Sequence, residues 1–319
     1  MGPLAVLALV AVVQSAPKET PPTVAPAAAG GKAVAASRMD YFTFDSKTLK
    51  QPMDAGVYLP AGYDDPANQD ERYPVVYFLH GLWLNARNWE ERGANRTLDK
   101  LIEENQVAPM IVVCADGKRD SMWVDWLDGS ANWGDYLATE LVATIDAKYR
   151  TLADRATRAI SGESMGGYGA LNLAFKHPDV FSAVSTMSAA IYPVDPSKLP
   201  PQIQQFAPRW KPVYGWPIDA DHWKKWNPLE LAETLPAESL GKLAIYFDCG
   251  KSDRYGFDQT NAQLHEILEK RKVAHEWTLR DGGHGHAYFE EYVGQTFLFH
   301  GKLFDAAQLT PKQDAPKAQ

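Results

Sequence analysis

Cysteine, clustered positive charge and long apolar runs are all scarce in this 319-residue chain. Its two cysteines can form one disulfide at most. Lysine and arginine are outnumbered by acidic residues and form no run, so a nucleic acid is not an expected partner. Beyond the N-terminus, no apolar stretch is long enough to span a membrane. The chain as a whole is 45% hydrophobic, enough to bury a sizeable core in one large domain or two small ones.

The one conspicuous apolar run lies at residues 4–13, close to the N-terminus. It is too short to span a bilayer but is typical of the core of a signal peptide. Val13 and Ser15 fit the small-residue pattern before a cleavage site, which would make Ala16 the first mature residue. Most signal peptides have a Lys or Arg before the apolar run, but this sequence has neither there. We predict a signal peptide over residues 1–15 and a secreted or periplasmic protein.

Two segments have compositions that do not favour a folded core. Residues 16–38 are rich in Ala and Pro and hold almost no large apolar side chain, which predicts a flexible linker. Residues 309–319 are similar and are predicted to form a flexible tail. The folded domain is therefore expected over residues 39–308.

Within that domain, apolar runs typical of strands alternate with segments of helical periodicity. The runs YPVVYFLHG at 73–81 and APMIVVCADG at 108–117 indicate buried strands, and residues 132–150 place apolar side chains on one helical face. This alternation predicts the α/β class, with a mostly parallel sheet covered by helices on both faces. Functional side chains are then expected at the carboxyl ends of the strands.

One segment, residues 192–240, interrupts the alternation because it is rich in proline and tryptophan. We predict an insertion that folds over the edge of the sheet. It is either a lid over a site or a structural connection packed by its own tryptophans.

The sequence GESMG at 162–166 places Ser164 between glycines, where a predicted strand meets a predicted helix. Such a serine is either an ordinary turn residue or a catalytic nucleophile. The glycines suit a turn so tight that side chains would clash, with the serine strained and its hydroxyl exposed. The helix behind it directs free N–H groups toward the site, where they favour negative charge. The context favours a nucleophile, provided that its partners lie elsewhere in the chain.

A serine nucleophile needs a histidine base that is oriented by a carboxylate. The glycine-rich loop RDGGHGHAYF contains His284 and His286, and His284 is the expected base because it is the first residue past the double glycine. The preceding strand leads to Asp248, Asp253 and Asp258. Asp248 lies within the strand pattern and Asp258 is placed to cap a helix, so Asp253 is the expected carboxylate.

An oxyanion hole needs two backbone donors near the serine. Met165, the residue after the serine, is expected to supply one N–H. The loop FLHGLWLN follows an earlier strand and contains Gly81, where the backbone can approach closely. Leu82 is therefore expected to supply the second N–H, and His80 is expected to order the loop.

Aromatic side chains near these loops are candidates for contact with a substrate. Trp83 adjoins the oxyanion loop, and Trp123 and Trp126 follow the carboxyl end of a strand. His286 is a further candidate for the pocket wall. Aromatic walls suit sugar rings and aromatic acids, whereas the acidic net charge would oppose a polyanion.

These motifs, in this order, resemble the α/β-hydrolase fold and, within it, the putative-esterase family. That family includes esterase D (S-formylglutathione hydrolase), feruloyl esterases, enterochelin esterases and mycolyltransferases. The similarity runs from VYLPAGYDD at 57–65 to GGHGHAYF at 282–289, and its most specific part is SGESMGGYGALNLAFKHPDVFSAVS. It implies a triad of Ser164, Asp253 and His284, with no metal and no organic cofactor. The family often has Trp two residues after its histidine, where this sequence has His286.

The first hypothesis is a serine carboxylesterase that acts through an acyl-enzyme. Short-chain acyl or hydroxycinnamoyl (feruloyl-type) esters, small or attached to polysaccharide, are the expected substrates, because aromatic side chains lie near the site and no long apolar groove for a fatty chain is evident. An acyltransferase of the mycolyltransferase type, using the same triad, is the alternative. A non-catalytic binding protein on a hydrolase scaffold is the third hypothesis. Nothing in the sequence indicates an oligomeric state.

The two cysteines are predicted to be free thiols. In the usual strand order of this fold, three strands separate Cys114 from Cys249, which places them about 19 Å apart. A disulfide requires Cα atoms within about 7 Å.

Overall fold

The computed structural model describes residues 35–309, which build one eight-stranded sheet with helices around it. The strands are β1 (Arg38–Ser46), β2 (Gln51–Leu59), β3 (Val75–Leu79), β4 (Ile111–Ala115), β5 (Arg158–Glu163), β6 (Ala183–Met187), β7 (Ala244–Ser252) and β8 (Glu276–Gly283). Their order in the sheet is β1-β2-β4-β3-β5-β6-β7-β8. Neighbours from β4 to β8 are parallel, while β2 runs antiparallel to both β1 and β4.

The helices connect the strands and also form much of the insertion. They are α1 (Asn88–Glu91), α2 (Ala94–Glu103), α3 (Trp133–Asp135), α4 (Val142–Lys148), α5 (Met165–Lys176), α6 (Pro201–Gln204), α7 (Lys211–Tyr214), α8 (Ala220–Lys225), α9 (Pro228–Thr234), α10 (Ala237–Leu240), α11 (Phe257–Lys270) and α12 (His286–Leu309). A π-helical stretch, Tyr136–Leu141, joins α3 to α4, and 3-10 turns lie at Pro66–Asn68, Arg155–Thr157, Pro196–Lys198 and Ala207–Trp210. Among residues 35–309, no helix is both long enough and apolar enough to cross a bilayer.

The central strands are buried on both faces, and successive side chains enter two separate cores. Every residue of β3, β4 and β6 is buried. Tyr77 packs into the core that also contains side chains of α4, α5 and α11, while its neighbour Phe78 packs into the core shared with α2 and α12. The prediction of a mostly parallel sheet between two layers of helices is therefore confirmed.

Strand β1 was not expected from the sequence. It pairs with β2 in antiparallel register along its whole length, from Arg38 opposite Leu59 to Ser46 opposite Gln51. From Phe42 to Asp45 its sequence alternates aromatic and polar residues, which is typical of a half-buried edge strand. Arg38, the last residue of the predicted linker, is the first residue of β1. The predicted signal peptide, most of the linker and nearly all of the predicted tail lie outside the described residues.

The insertion at 192–240 folds mainly into the short helices α6 to α10. Trp210, Trp223 and Trp226 are buried, whereas Trp216 is 53% exposed. The rings of Trp210 and Trp223 contact Tyr192 with centroid distances of 5.3 and 5.6 Å. Tyr192, the first residue of the insertion, in turn contacts Tyr168 of α5 and Phe257 of α11 with centroid distances of 5.6 and 5.7 Å, and these contacts join the insertion to the rest of the domain.

The two cysteines lie far apart in the sheet. Cys114 belongs to β4 and Cys249 to β7, and the strands β3, β5 and β6 lie between them. Both thiols are buried and neither is in a disulfide, as the sequence predicts.

Candidate active site

The turn that carries Ser164 is too tight for side chains at its two flanking glycines. A Cβ on Gly162 would lie 2.3 Å from the carbonyl oxygen of Gly166, and a Cβ on Gly166 would lie 1.9 Å from that of Leu79. Ser164 itself adopts φ 54° and ψ −118° between β5 and α5. Its N–H donates to the Met187 carbonyl at 3.1 Å, which helps to hold this unfavourable conformation.

The structure brings Ser164, His284 and Asp253 together at the carboxyl edge of the sheet. The Nε2 of His284 lies 2.8 Å from the Ser164 Oγ, and its Nδ1 lies 2.8 Å from the Asp253 Oδ2. His284 follows β8 directly and Asp253 follows β7 directly, so two neighbouring parallel strands deliver them. With Nδ1 donating to the carboxylate, Nε2 is free to accept the serine proton.

Backbone and side-chain contacts hold the Asp253 carboxylate in place. Its Oδ1 accepts the Tyr255 N–H at 2.9 Å, and the Cys249 thiol lies 3.7 Å from its Oδ2. Its side chain is fully buried, so water does not compete with His284 for it.

The two other aspartates that the sequence offered lie elsewhere. Asp248 is fully buried and accepts hydrogen bonds from the hydroxyls of Tyr246 and Tyr288, both at 2.6 Å, and from Arg280 at 3.3 Å. Burial raises the pKa of Asp248 above its ordinary value. Asp258 lies in the first turn of α11, whose N-cap is Gly256, so the expectation that Asp258 caps this helix is wrong.

The loop after β3 lies against Ser164. A Cβ on Gly81 would meet the Ser164 Cβ at 3.5 Å, an ordinary van der Waals contact, so the loop adjoins the serine without an approach that only glycine permits. Leu82 and Met165 both border the cavity at the serine. In the described part of the chain, neither of their N–H groups donates a hydrogen bond, and both are available to an oxyanion.

His80 orders this loop from inside the protein. Its Nδ1 lies 2.8 Å from the Gly81 carbonyl oxygen, and its Nε2 accepts the Gly117 N–H at 2.9 Å. Burial lowers the pKa of His80, which keeps the ring neutral and able to accept that bond. The Trp83 N–H donates to the Arg119 carbonyl at 2.8 Å and holds the other end of the loop.

A cavity of about 250 Å³ opens at Ser164. Trp83 is 46% exposed and lies on its wall, where its ring meets Phe206 of the insertion at a centroid distance of 5.8 Å. The insertion also contributes Ile203 and Trp210. His286 lies on the wall as well, with its Nε2 3.4 Å from the Glu290 carboxylate. Aromatic and aliphatic groups therefore form much of the wall around the hydroxyl.

Trp123 and Trp126 do not reach this cavity, and their expected contact with substrate is corrected. Trp123 is completely buried, and its indole N–H donates to the His80 carbonyl at 3.1 Å. A Cβ on either Gly117 or Gly169 would come within 2.3 Å of it, so these glycines make room for the side chain. The φ of 58° at Trp123 turns its side chain into the core. Trp126 is partly buried and donates its indole N–H to the Ser121 carbonyl at 3.1 Å.

Sequence reasoning missed an ion pair on the cavity wall. Arg92, between α1 and α2, donates to the buried carboxylate of Glu163, and both residues border the cavity. In the sequence, Glu163 is only the variable residue between Gly162 and Ser164 of the serine motif, and Arg92 belongs to no motif. Pairing between such distant positions leaves no signal in a single sequence.

Comparisons with known proteins agree with this geometry. A sequence model of the family described as "Putative esterase" matches residues 46–300. An endo-1,4-beta-xylanase/feruloyl esterase from Xylanibacter ruminicola is 33% identical over 170 residues, which are 51% of this chain and 23% of that relative. This chain therefore spans under a quarter of the curated relative that it matches.

Solved structures show the same fold over most of the chain. A ferulic acid esterase superposes with a TM-score of 0.72 at 26% identity, over 85% of this chain and 99% of that one. An S-formylglutathione hydrolase from Agrobacterium tumefaciens superposes with a TM-score of 0.67 at 22% identity, over 86% and 99% of the two chains.

Proposed function

Because this chain belongs to the "Putative esterase" family and has the α/β-hydrolase fold, we propose that it is a serine carboxylesterase in which Ser164, His284 and Asp253 act as the triad. The observation that carries the proposal is the unbroken chain of hydrogen bonds from Ser164 Oγ through His284 to Asp253, with 2.8 Å at each step. A hydroxyl, an imidazole and a carboxylate in this order can activate the hydroxyl for attack on a carbonyl carbon.

The reaction runs through an acyl-enzyme. Ser164 Oγ attacks the ester carbonyl carbon while His284 Nε2 takes the serine proton. The carbonyl oxygen becomes an oxyanion, which accepts hydrogen bonds from the N–H groups of Leu82 and Met165. His284 then gives its proton to the alcohol oxygen as that bond breaks. Water repeats the sequence on the acyl-enzyme and releases the acid.

For the substrate, we propose short-chain acyl or hydroxycinnamoyl esters, including esters attached to polysaccharide. A cavity of about 250 Å³ walled by Trp83, Phe206 and Trp210 suits an aromatic or short acyl group better than a long alkyl chain. The names of the Xylanibacter relative and of the ferulic acid esterase support the feruloyl type.

An acyltransferase would use the same three side chains with an alcohol in place of water. The relatives described above carry names of esterases and of a hydrolase, which favours water as the acceptor. A non-catalytic binding protein would have no need for a serine held at 2.8 Å from an oriented imidazole.

The test is a substrate panel with a covalent label. We expect kcat/KM for methyl ferulate and p-nitrophenyl acetate to exceed that for p-nitrophenyl palmitate, and a serine-directed phosphonate to label Ser164. Product analysis with an added acceptor sugar should show free acid as the main product. Labelling of another residue would refute the assignment of Ser164. Fastest turnover of palmitate would refute the substrate class, and mainly transferred acyl groups would favour the acyltransferase.

We also propose that the protein is exported. The support is the apolar run at 4–13 followed by small residues at the predicted cleavage site. Fusion of residues 1–38 to a reporter that is active only outside the cytoplasm tests this. A reporter that stays inactive and cytoplasmic would contradict it.

A further inference from the structure

The ion pair between Arg92 and Glu163 lies beside Ser164, yet the acyl-transfer steps above do not use it. The Arg92 and Glu163 side chains are 18% and 4% exposed, so the pair is largely withdrawn from water. A Cβ on Gly81 would lie 3.5 Å from the Ser164 Cβ and 3.6 Å from the Glu163 Oε1. The Gly81 position of the oxyanion loop therefore adjoins both the nucleophile and this carboxylate. An acidic group stands next to the place where a substrate oxygen would become negative.

A buried carboxylate at this place opposes the reaction unless its charge is offset. Charges interact strongly in a site that excludes water, and the carbonyl oxygen gains negative charge as Ser164 attacks. Arg92 is the cation that pairs directly with Glu163. Burial raises the pKa of Glu163, while the charge of Arg92 and, to a smaller extent, the imidazoles of His284 and His286 oppose that increase. The net charge that the pair presents to the oxyanion is therefore close to zero.

Contacts on two sides hold Arg92 in position. Its guanidinium carbon lies 5.5 Å from the centre of the Phe289 ring, and Phe289 in turn contacts His284 with a centroid distance of 5.5 Å. Within residues 35–309, the bond to Glu163 is the one hydrogen bond of the Arg92 side chain. Glu163 and Arg92 thus fix each other, and neither touches Ser164 Oγ or His284 through a hydrogen bond.

We propose that Arg92 is a positioning residue for acyl transfer, which neutralises Glu163 and so keeps the oxyanion position free of an opposing charge. This inference rests on the proposed function, because it assumes that Ser164 attacks a carbonyl at this position. Arg92 acts through Glu163, so its importance should vanish when Glu163 carries no charge.

The test is a double-mutant cycle with Arg92→Met, Glu163→Gln and the double variant, and with Arg92→Lys as the conservative control. The readouts are kcat and KM for an ester that the wild type hydrolyses, and Ki for a trifluoromethyl ketone that forms an oxyanion adduct with Ser164. For Arg92→Met we expect kcat to fall at least 100-fold and Ki to rise at least 100-fold, with KM within threefold. We expect Glu163→Gln within threefold of wild type, and the double variant and Arg92→Lys within tenfold.

A pH series separates this role from a merely structural one. In Arg92→Met, protonation of Glu163 removes the opposing charge, so the ratio of its kcat to that of the wild type should rise as pH falls from 8 to 5. In the double variant this ratio should not change with pH. Two results together would contradict the proposal: a loss of kcat that only follows the lower melting temperature of the variants, and a kcat ratio of Arg92→Met to wild type that does not change with pH.

The double variant still tests the proposal if Arg92→Met does not fold, because the double variant leaves no buried charge without a partner. A folded double variant that is at least 100-fold slower than wild type overturns the inference, as does an Arg92→Met enzyme with wild-type kcat. If the wild type hydrolyses no ester, the proposed function fails and this inference fails with it. An active wild type with an inactive, folded double variant refutes the inference alone.

Discussion

Ser164 stores conformational strain at the point where the chemistry is proposed to occur. Its φ of 54° with ψ of −118° is a combination that residues other than glycine rarely adopt. Such a backbone costs about 1–3 kcal/mol, and the surrounding hydrogen bonds must offset that cost. Alanine at this position keeps the strain and loses the hydroxyl, whereas glycine loses both.

We therefore expect Ser164→Ala and Ser164→Gly to be equally inactive but unequally stable. The lost nucleophile should lower kcat by a factor on the order of 10⁶ in each. The glycine variant should be about 1 kcal/mol more stable toward urea than the alanine variant, because its backbone is relaxed. Activity above about a hundredth of wild type in folded Ser164→Ala would refute the assignment of the nucleophile.

The two histidines of the β8–α12 loop should respond differently to mutation. His284 bonds to both Ser164 and Asp253, whereas His286 is exposed beside Glu290. We expect His284→Ala to lower kcat by a factor on the order of 10⁶, and His286→Ala to stay within about tenfold of wild type. Steady-state kinetics on methyl ferulate measure both. A severe loss in His286→Ala with mild impairment in His284→Ala would reverse the roles.

Among the elements, the insertion decides the shape of the acyl pocket. Phe206 follows α6 and contacts Trp83 on the cavity wall, while Trp216 of the same insertion is exposed and lies off that wall. One segment therefore offers an aromatic residue that borders the cavity and one that does not.

We expect Phe206→Ala to raise KM for methyl ferulate about tenfold, since an aromatic pair contributes roughly 0.5–1.5 kcal/mol beyond its buried area. KM for p-nitrophenyl acetate, whose acyl group is too small to reach the ring, should change less than threefold. Trp216→Ala is the matched control and should leave both constants unchanged. Equal effects of Phe206→Ala on the two esters would indicate that the ring is structural.

The elements that hold the candidate site were predictable because each of its residues follows a strand. GESMG ends β5, Asp253 comes directly after β7 and His284 directly after β8, and every one of these strands is marked by an apolar or alternating run. Parallel strands bring such ends to one edge of a sheet. The order of glycines, serine, aspartate and histidine therefore carries spatial information without any knowledge of tertiary contacts.

Other features could not be predicted, since they depend on contacts between distant residues. Trp123 follows a strand end as the site residues do, but its positive φ and the space at Gly117 and Gly169 turn it into the core. Neither periodicity nor composition in the sequence indicates that the side chain of Trp123 is buried. Arg92 and Glu163 are 71 positions apart, and only the tertiary fold makes them partners. Strand β1 was missed because its start adjoins a segment of linker-like composition.

The whole domain should lose stability in mild acid through a buried histidine. His300 of α12 is completely buried, with its Nε2 2.8 Å from the Ser185 Oγ on β6, and burial lowers its pKa to about 3. The unfolded chain binds a proton at this residue near pH 6.5, but the folded protein does not. Between pH 6.5 and about 3 the unfolded state thus holds more protons, so stability falls as pH falls.

At pH 5 this one residue should cost about 2 kcal/mol of unfolding free energy relative to pH 7. We expect His300→Gln, which does not titrate, to lose correspondingly less stability between pH 7 and pH 5. Urea unfolding at the two pH values measures the difference, with His286→Gln as an exposed control on the same helix. Equal acid destabilisation in wild type and His300→Gln would contradict this account.

Because three strands separate Cys114 from Cys249, the domain forms no disulfide and its folding does not depend on the redox conditions around it. No oxidant, disulfide isomerase or glutathione couple is required for the chain to reach its native state, because no covalent cross-link is formed. Thiol titration of the denatured, unreduced protein should find two free thiols, and dithiothreitol should leave its activity unchanged. The same domain can therefore mature in a reducing cytosol or outside the cell.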